Sequence, residues 1–144
     1  MSIRIYYDQI KYRIHKTGEI KKFLGKVITD ENKITGDLVF ILTSDETLLE
    51  INRKFLKHDY YTDVISFDYS VERTVNGEIY MSIDSVKGNA VRFKAGLKEE
   101  LLRVMIHGVL HLCGYRDDNK EERDKMFARQ EEKLNELKKN LSEL

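Results

Sequence analysis

The run Leu101–Cys113, LLRVMIHGVLHLC, is apolar almost all the way round, broken chiefly by Arg103, His107 and His111. A helix of that pattern has no face to give to water and is normally buried, so the remaining chain must pack around it. His107 and His111 are four residues apart and project from one side, at a spacing that places two imidazoles on one metal ion. Gly108, directly after the first histidine, permits close approach of a neighbouring element. Gly114 suits the left-handed residue that ends a helix and turns the chain.

A single histidine in an apolar helix is more often a hydrogen-bonded core residue than a ligand. Two in one apolar helix are harder to explain, because each buried ring nitrogen needs a partner. Spacing alone leaves core histidines and metal ligands both open. A third donor is expected after the helix stop, where Asp117 and Asp118 stand. Asp118 forms with Glu121 a box-like helix start, D-N-K-E. Asp117 has no such duty and is assigned to the metal, against the alternative of a solvated loop carboxylate. Cys113, two residues past His111, points to another side of the helix and reads as core. Farther on, Met126, Gln130, Leu134, Leu137 and Leu141 form one packing stripe on a last helix.

Upstream, Ile3–Tyr7 reads as a first strand, and Thr17 caps a helix with apolar positions Ile20, Phe23, Leu24, Val27 and Ile28. Leu38–Leu42 is a continuous apolar run, as in a strand buried on both faces. Ser44-Asp45-Glu46 opens a helix through Leu48, Leu49 and Phe55. Val64–Phe67 is a third strand, and Ile79, Met81 and Ile83 alternate with polar neighbours in a fourth. Asn76-Gly77 between them is a turn signal, so these two strands are expected to pair antiparallel. After Ser85 the pattern is helical, with breaks at Gly96 and Gly114. The order β-α-β-α-β-β followed by helices predicts an α+β fold, a mixed sheet with helices packed against it.

The 144 residues suit one domain, 1–144, with one core. No apolar run reaches the ~20 residues of a membrane span, and the start lacks the apolar centre of a signal peptide. A soluble cytoplasmic protein without a membrane partner is the expectation. The lone Cys113 forms no internal disulfide, in keeping with a reducing compartment. The 25 basic and 25 acidic side chains balance, which argues against indiscriminate nucleic-acid binding, yet residues 1–36 carry eight basic against four acidic groups. Lys21, Lys22 and Lys26 are candidates for phosphate contact and Tyr60 and Tyr61 for stacking on unpaired bases, weighed against a solvated helix face and half-buried tyrosines.

The stretch HGVLHLCGYRD, His107–Asp117, resembles the H-G-x-L-H-L-x-G-Y-D-H pattern of the YbeY family of metal-dependent endoribonucleases. INRKFLKHDYYTDVISF, residues 51–67, and GEIYMSI, residues 77–83, resemble two further family segments in the right order. The resemblance implies a mixed four-stranded sheet with one antiparallel strand and a zincin-like metal-site helix. It also implies a hydrolase acting as an endonuclease on single-stranded RNA. Its substrate would be ribosomal RNA of the small subunit, in rRNA processing and ribosome biogenesis, with one divalent metal ion, usually zinc, as cofactor. The metal ligands would be His107, His111 and Asp117, the last standing where the family has a third histidine. A carboxylate at that position shifts preference toward harder ions.

The family's arginine aligns with Leu56, so no guanidinium comes from there. Lys57, His58 or Arg53 are substitutes from neighbouring positions, weighed against ordinary helix-end charges; Lys57 and His58 are the weak catalytic candidates. Metalloproteases with a similar helix carry a glutamate base after the first histidine, where this chain has Gly108. The lack of that base disfavours peptide hydrolysis and leaves RNA cleavage to a metal-bound water or the substrate's 2′-hydroxyl. Two other classes compete: a ribosome-associated assembly factor with little catalysis, and another metal-dependent hydrolase.

Overall fold

A computed structural model describes residues 2–57 and 62–141. Strand β1 (Ser2–Tyr7), helix α1 (Thr17–Asp30) and strand β2 (Ile34–Thr43) form a parallel β-α-β unit. Helix α2 (Asp45–Ile51) runs into a π-helical turn at Asn52–Leu56, then strands β3 (Val64–Asp68) and β4 (Thr74–Ser82) follow. Helices α3 (Ile83–Arg92), α4 (Leu97–Leu112) and α5 (Lys120–Asn140) complete the order. The sheet runs β1-β2-β4-β3, parallel except for the antiparallel β3–β4 pair. This is the expected α+β arrangement of a four-stranded mixed sheet packed by helices. Among the described residues no helix is long and apolar enough to cross a membrane.

The apolar residues read from the sequence as the inner face of α1, namely Ile20, Phe23, Leu24, Val27 and Ile28, are all buried. The helix start differs from expectation. Lys16, in a left-handed conformation with φ 59°, takes the capping position, and Thr17 is the first helical residue. Ser44 does cap α2, accepting from the Thr47 N–H, but the α-helix ends at Ile51 and Phe55 lies in the π turn. Ile83, expected as the last inward residue of the fourth strand, instead opens α3 behind the Ser82 cap.

Asn76-Gly77 is not the hairpin turn. Both residues lie inside β4, and the chain reverses at Glu72-Arg73, between the reciprocal backbone bonds of Val71 and Thr74. Two tertiary demands placed Asn-Gly in a strand. The Asn76 side chain accepts from the Asp37 N–H at 2.8 Å, where β2 bulges between Thr35 and Leu38. A methyl group on Gly77 would stand 2.7 Å from the Phe67 carbonyl oxygen and 2.8 Å from Leu112 Cδ1.

The same contact explains how α4 is seated. Leu112 of the helix fills the gap above Gly77 of β4, and one turn earlier Ile79 of β4 fills the gap above Gly108 of the helix. A methyl group on Gly108 would stand 3.0 Å from Ile79 Cγ2. This reciprocal fit lays α4 along β4, and Leu101, Leu102, Val104, Met105, Ile106, Val109, Leu110 and Leu112 are buried. α1, α3 and α5 pack around the rest of it.

A candidate metal centre on helix α4

The seam between α4 and β4 fixes where the histidines point. His107 and His111 each precede one of the seam residues, Gly108 and Leu112, and so flank the contact on the side of the edge strand β3. On β3, Val64, Ser66 and Asp68 lie opposite Met81, Ile79 and Gly77 and share the helix-facing side of the sheet. His107 borders a cavity of about 250 Å³ with Val64, and His111 borders one of about 320 Å³ with Ser66 and Asp68. The site is thus a groove between an edge strand and the core helix.

The two histidines are not equivalent. His107 is half-buried, and its Nδ1 lies 2.7 Å from Gln130 Oε1 on α5. An amide oxygen only accepts, so Nδ1 is the donor in this contact. His111, in the last turn of α4, is exposed. The expectation that both rings are buried and need internal partners therefore holds for His107 alone.

Asp117 lies on the exposed segment between α4 and α5. It lines a cavity of about 390 Å³ with His107, and also lines the His111 cavity. Among the described residues, no three His, Cys, Asp or Glu side chains stand close enough together to hold a metal ion. His107 and His111 lie one turn apart on α4 and border different cavities, and Asp117 joins them in no such cluster.

How that segment leaves the helix is clear. Gly114 has φ 111°; its N–H donates to the His111 carbonyl and that of Tyr115 to the Leu110 carbonyl, both at 3.1 Å. These two bonds close the helix C-terminus, as the glycine predicted. Tyr115 then donates its hydroxyl proton to Glu31 at 2.9 Å, and Arg129 of α5 holds the other Glu31 oxygen at 2.7 Å. Burial, with the Glu31 bond next, pushes the Tyr115 phenol above its ordinary pKa.

Helix α5 begins one residue later than expected. Asn119, not Asp118, caps it by accepting from the Glu122 N–H at 2.8 Å. Asp118 instead pairs with Arg116 at 2.8 Å, both exposed. Cys113 is buried in the core, as read from the sequence, and burial pushes its thiol up to about 12.

Of the other candidates, Lys57 ends the π turn in a left-handed conformation, next to the 39% exposed Leu56, and neither lines the cavities described above. His58, Tyr60 and Tyr61 lie outside the described residues. Lys26 is committed to Asp30 and Glu136, at 2.8 and 3.3 Å, rather than standing free on a basic face. Two contributors come from α5 and were not assigned to the site from the sequence. Gln130 holds His107, and Arg123 lines the cavity with His107 and Asp117 and donates to the Asp117 carbonyl at 3.2 Å. Gln130 gave only a packing signal because it shares the stripe of Met126 and Leu134.

Residues 5–138 match the family described as Endoribonuclease YbeY. The chain belongs to that family. An Endoribonuclease YbeY from Flavobacterium psychrophilum is 45% identical over 126 residues, covering 88% of this chain and 90% of that protein. The Christiangramia forsetii Endoribonuclease YbeY is 40% identical over 129 residues, covering 90% of each. The chain is also similar in structure to TM1509 from Thermotoga maritima, solved in solution. The TM-score is 0.65 at 32% identity, over 96% of this chain and 91% of that one. The YbeY resemblance read from His107–Asp117 is therefore borne out along nearly the whole chain.

Proposed function

We propose that this chain is a metal-dependent endoribonuclease that cuts single-stranded RNA in the groove between α4 and β3, using one divalent ion, zinc, held by His107, His111 and Asp117. The enzyme class, a hydrolytic nuclease, comes with the family. The finer part of the proposal is its setting. The RNA is ribosomal RNA of the small subunit, processed in the cytoplasm during ribosome maturation; this rests on the family resemblance.

The donor set fits such an ion in kind: two imidazoles and a carboxylate are ordinary zinc donors. The observation that carries the reading is the His107–Gln130 bond. A ring whose Nδ1–H is tied to an oxygen acceptor presents Nε2 outward, the arrangement typical of metal-ligating histidines. An ion bound there supplies a Lewis acid for the phosphodiester. Arg123, whose backbone follows the loop, brings a guanidinium to the His107 cavity, where it can bind a phosphate oxygen that Leu56 cannot reach with its apolar side chain. Gly108 takes the position after the first histidine where metalloprotease helices carry their glutamate base, which disfavours peptide hydrolysis.

The test pairs metal content with cleavage. Purified protein reconstituted with zinc is expected to hold about one ion per chain and to cut single-stranded RNA but not a peptide. Chelator should abolish cleavage, and His111→Ala should lose both ion and activity. Absence of bound metal after reconstitution, or cleavage indifferent to chelator, overturns the metal mechanism. Metal-dependent association with the small subunit without turnover would instead favour an assembly factor.

A further inference from the structure

The carbonyl of Gln130 faces His107 for a reason that lies at the next residue of α5. Gln130 is 6% exposed, and its Nε2 donates to Glu131 Oε2 at 3.1 Å. A carboxylate offers only acceptors, so it can be satisfied by the amide nitrogen and not by the amide oxygen. That fixes the amide with Oε1 toward the imidazole. Glu131 is in turn gripped by Arg103 through two parallel bonds, Nε to Oε2 at 2.8 Å and Nη2 to Oε1 at 3.2 Å. Arg103 is braced on its own helix by Glu100, which is buried, and by Glu99. Arg103 stands one helical turn before His107, so the chain of bonds leaves α4, crosses to α5 and returns to α4.

We infer that Arg103, Glu131 and Gln130 form a relay of positioning residues that sets the His107 tautomer, with the proton on Nδ1 and Nε2 kept open toward the groove. Each member has one allowed orientation given its neighbour: the guanidinium only donates, the carboxylate only accepts, and the amide must then turn its nitrogen to the carboxylate. The inference rests on the metal-site reading for its purpose, but the tautomer can be observed without any metal. A neutral imidazole left to itself divides between both tautomers, and a histidine in the wrong one must shift its proton before Nε2 can bind an ion.

The experiment reads the His107 ring nitrogens by ¹⁵N NMR in metal-free protein at alkaline pH, alongside binding of zinc ion alone. Wild type is expected to show Nδ1–H at His107. Gln130→Met, which keeps the volume and removes the acceptor, should move His107 to a mixture or to Nε2–H and weaken zinc binding about 10- to 100-fold. Gln130→Glu, which keeps an acceptor, should restore Nδ1–H. Glu131→Gln, which frees the amide to rotate, should give an intermediate mixture of tautomers.

Nε2–H in the wild type, or a tautomer that ignores Gln130→Met, overturns the relay. A His107 tautomer that follows Gln130 while zinc binds no variant overturns the metal reading and leaves the relay standing. Should Gln130→Met fail to fold, Glu131→Gln decides: the mixture supports the relay, and an unchanged Nδ1–H overturns it.

Discussion

The two halves of the candidate site are built in opposite ways. The half on α4 is embedded: the helix is seated on β4 by Gly108 and Gly77, and His107 is wired to α5 through Gln130. The half that carries Asp117 is exposed, tied down at its start by Tyr115 and Glu31 and at its end by the Asn119 cap. Packing seats the first half, because a methyl group at Gly77 would meet a backbone oxygen and one at Gly108 would press on Ile79. Polar tethers, each of modest strength, fix the second. A groove of this kind seats the helix that carries both imidazoles, ties only His107 to α5, and leaves His111 and Asp117 exposed.

That contrast is open to attack, most forcefully at the seam. Gly77→Ala would drive a methyl into the Phe67 carbonyl and Leu112, and the backbone oxygen has nowhere to go. It is expected to cost about 2–3 kcal/mol in denaturant unfolding. Gly108→Ala meets only the Ile79 side chain, which can yield slightly, and should cost less. Equal losses for the two would mean that the seam is not set by backbone.

The tether is the next test. Glu31→Gln weakens the charge-assisted bonds from Tyr115 and Arg129 and is expected to cost about 1–2 kcal/mol. It should also speed amide exchange at Tyr115–Asp118 more than along α4. Uniform acceleration across both regions would erase the distinction between them.

The cap gives a smaller effect with a built-in control. Asn119→Ala removes the acceptor for the Glu122 N–H and should lower stability by about 1 kcal/mol. Asp118→Ala loses only an exposed pair with Arg116 and should fall within about 0.5 kcal/mol of wild type. Thermal melts of both variants decide which residue begins α5.

The smallest effect appears only in acid. Lys133, buried on α5, and then Lys26 hold the Asp30 carboxyl at about 2, below its ordinary value near 3.8. A depressed carboxylate contributes stability that is full above its unfolded pKa and is lost as pH falls through the folded one. The α1–α5 contact is therefore expected to weaken between about pH 4 and 2, without involving the His107 half of the site. In Asp30→Asn that part of the acid dependence should vanish; if the acid limb is unchanged, Asp30 is not its source.

Local physics left clear marks in the sequence. An all-round apolar helix, the 3.6-residue stripe of α1, the apolar run of β2 and Gly114 after α4 each follow from periodicity or from a backbone angle and lie in the expected elements, although β2 buries Leu38, Phe40 and Leu42 fully and Val39 and Ile41 only in part. The histidine spacing, too, is a property of helix geometry alone. Errors came where a residue with a strong local preference was claimed by a distant partner. Asn76-Gly77 has the chemistry of a turn, but Leu112 needs the missing side chain and the β2 bulge needs the amide, so both stay in β4. Asp118 and Asn119 are both good caps, and one residue of difference in the loop path, with Arg116 at hand, gave the role to Asn119.

For the site, the sequence by itself determined the spacing of the two imidazoles, Gly108 as a point of close approach and the acid-bearing loop behind them. Only the tertiary structure decided that His107 is half-buried while His111 is exposed, and that Gln130 orients one ring rather than merely filling a stripe. It alone decided that β3 supplies the other wall. Those facts depend on where α5 and an edge strand come to rest against α4. That placement follows from side-chain volumes meeting across the core, which no spacing along a single chain encodes.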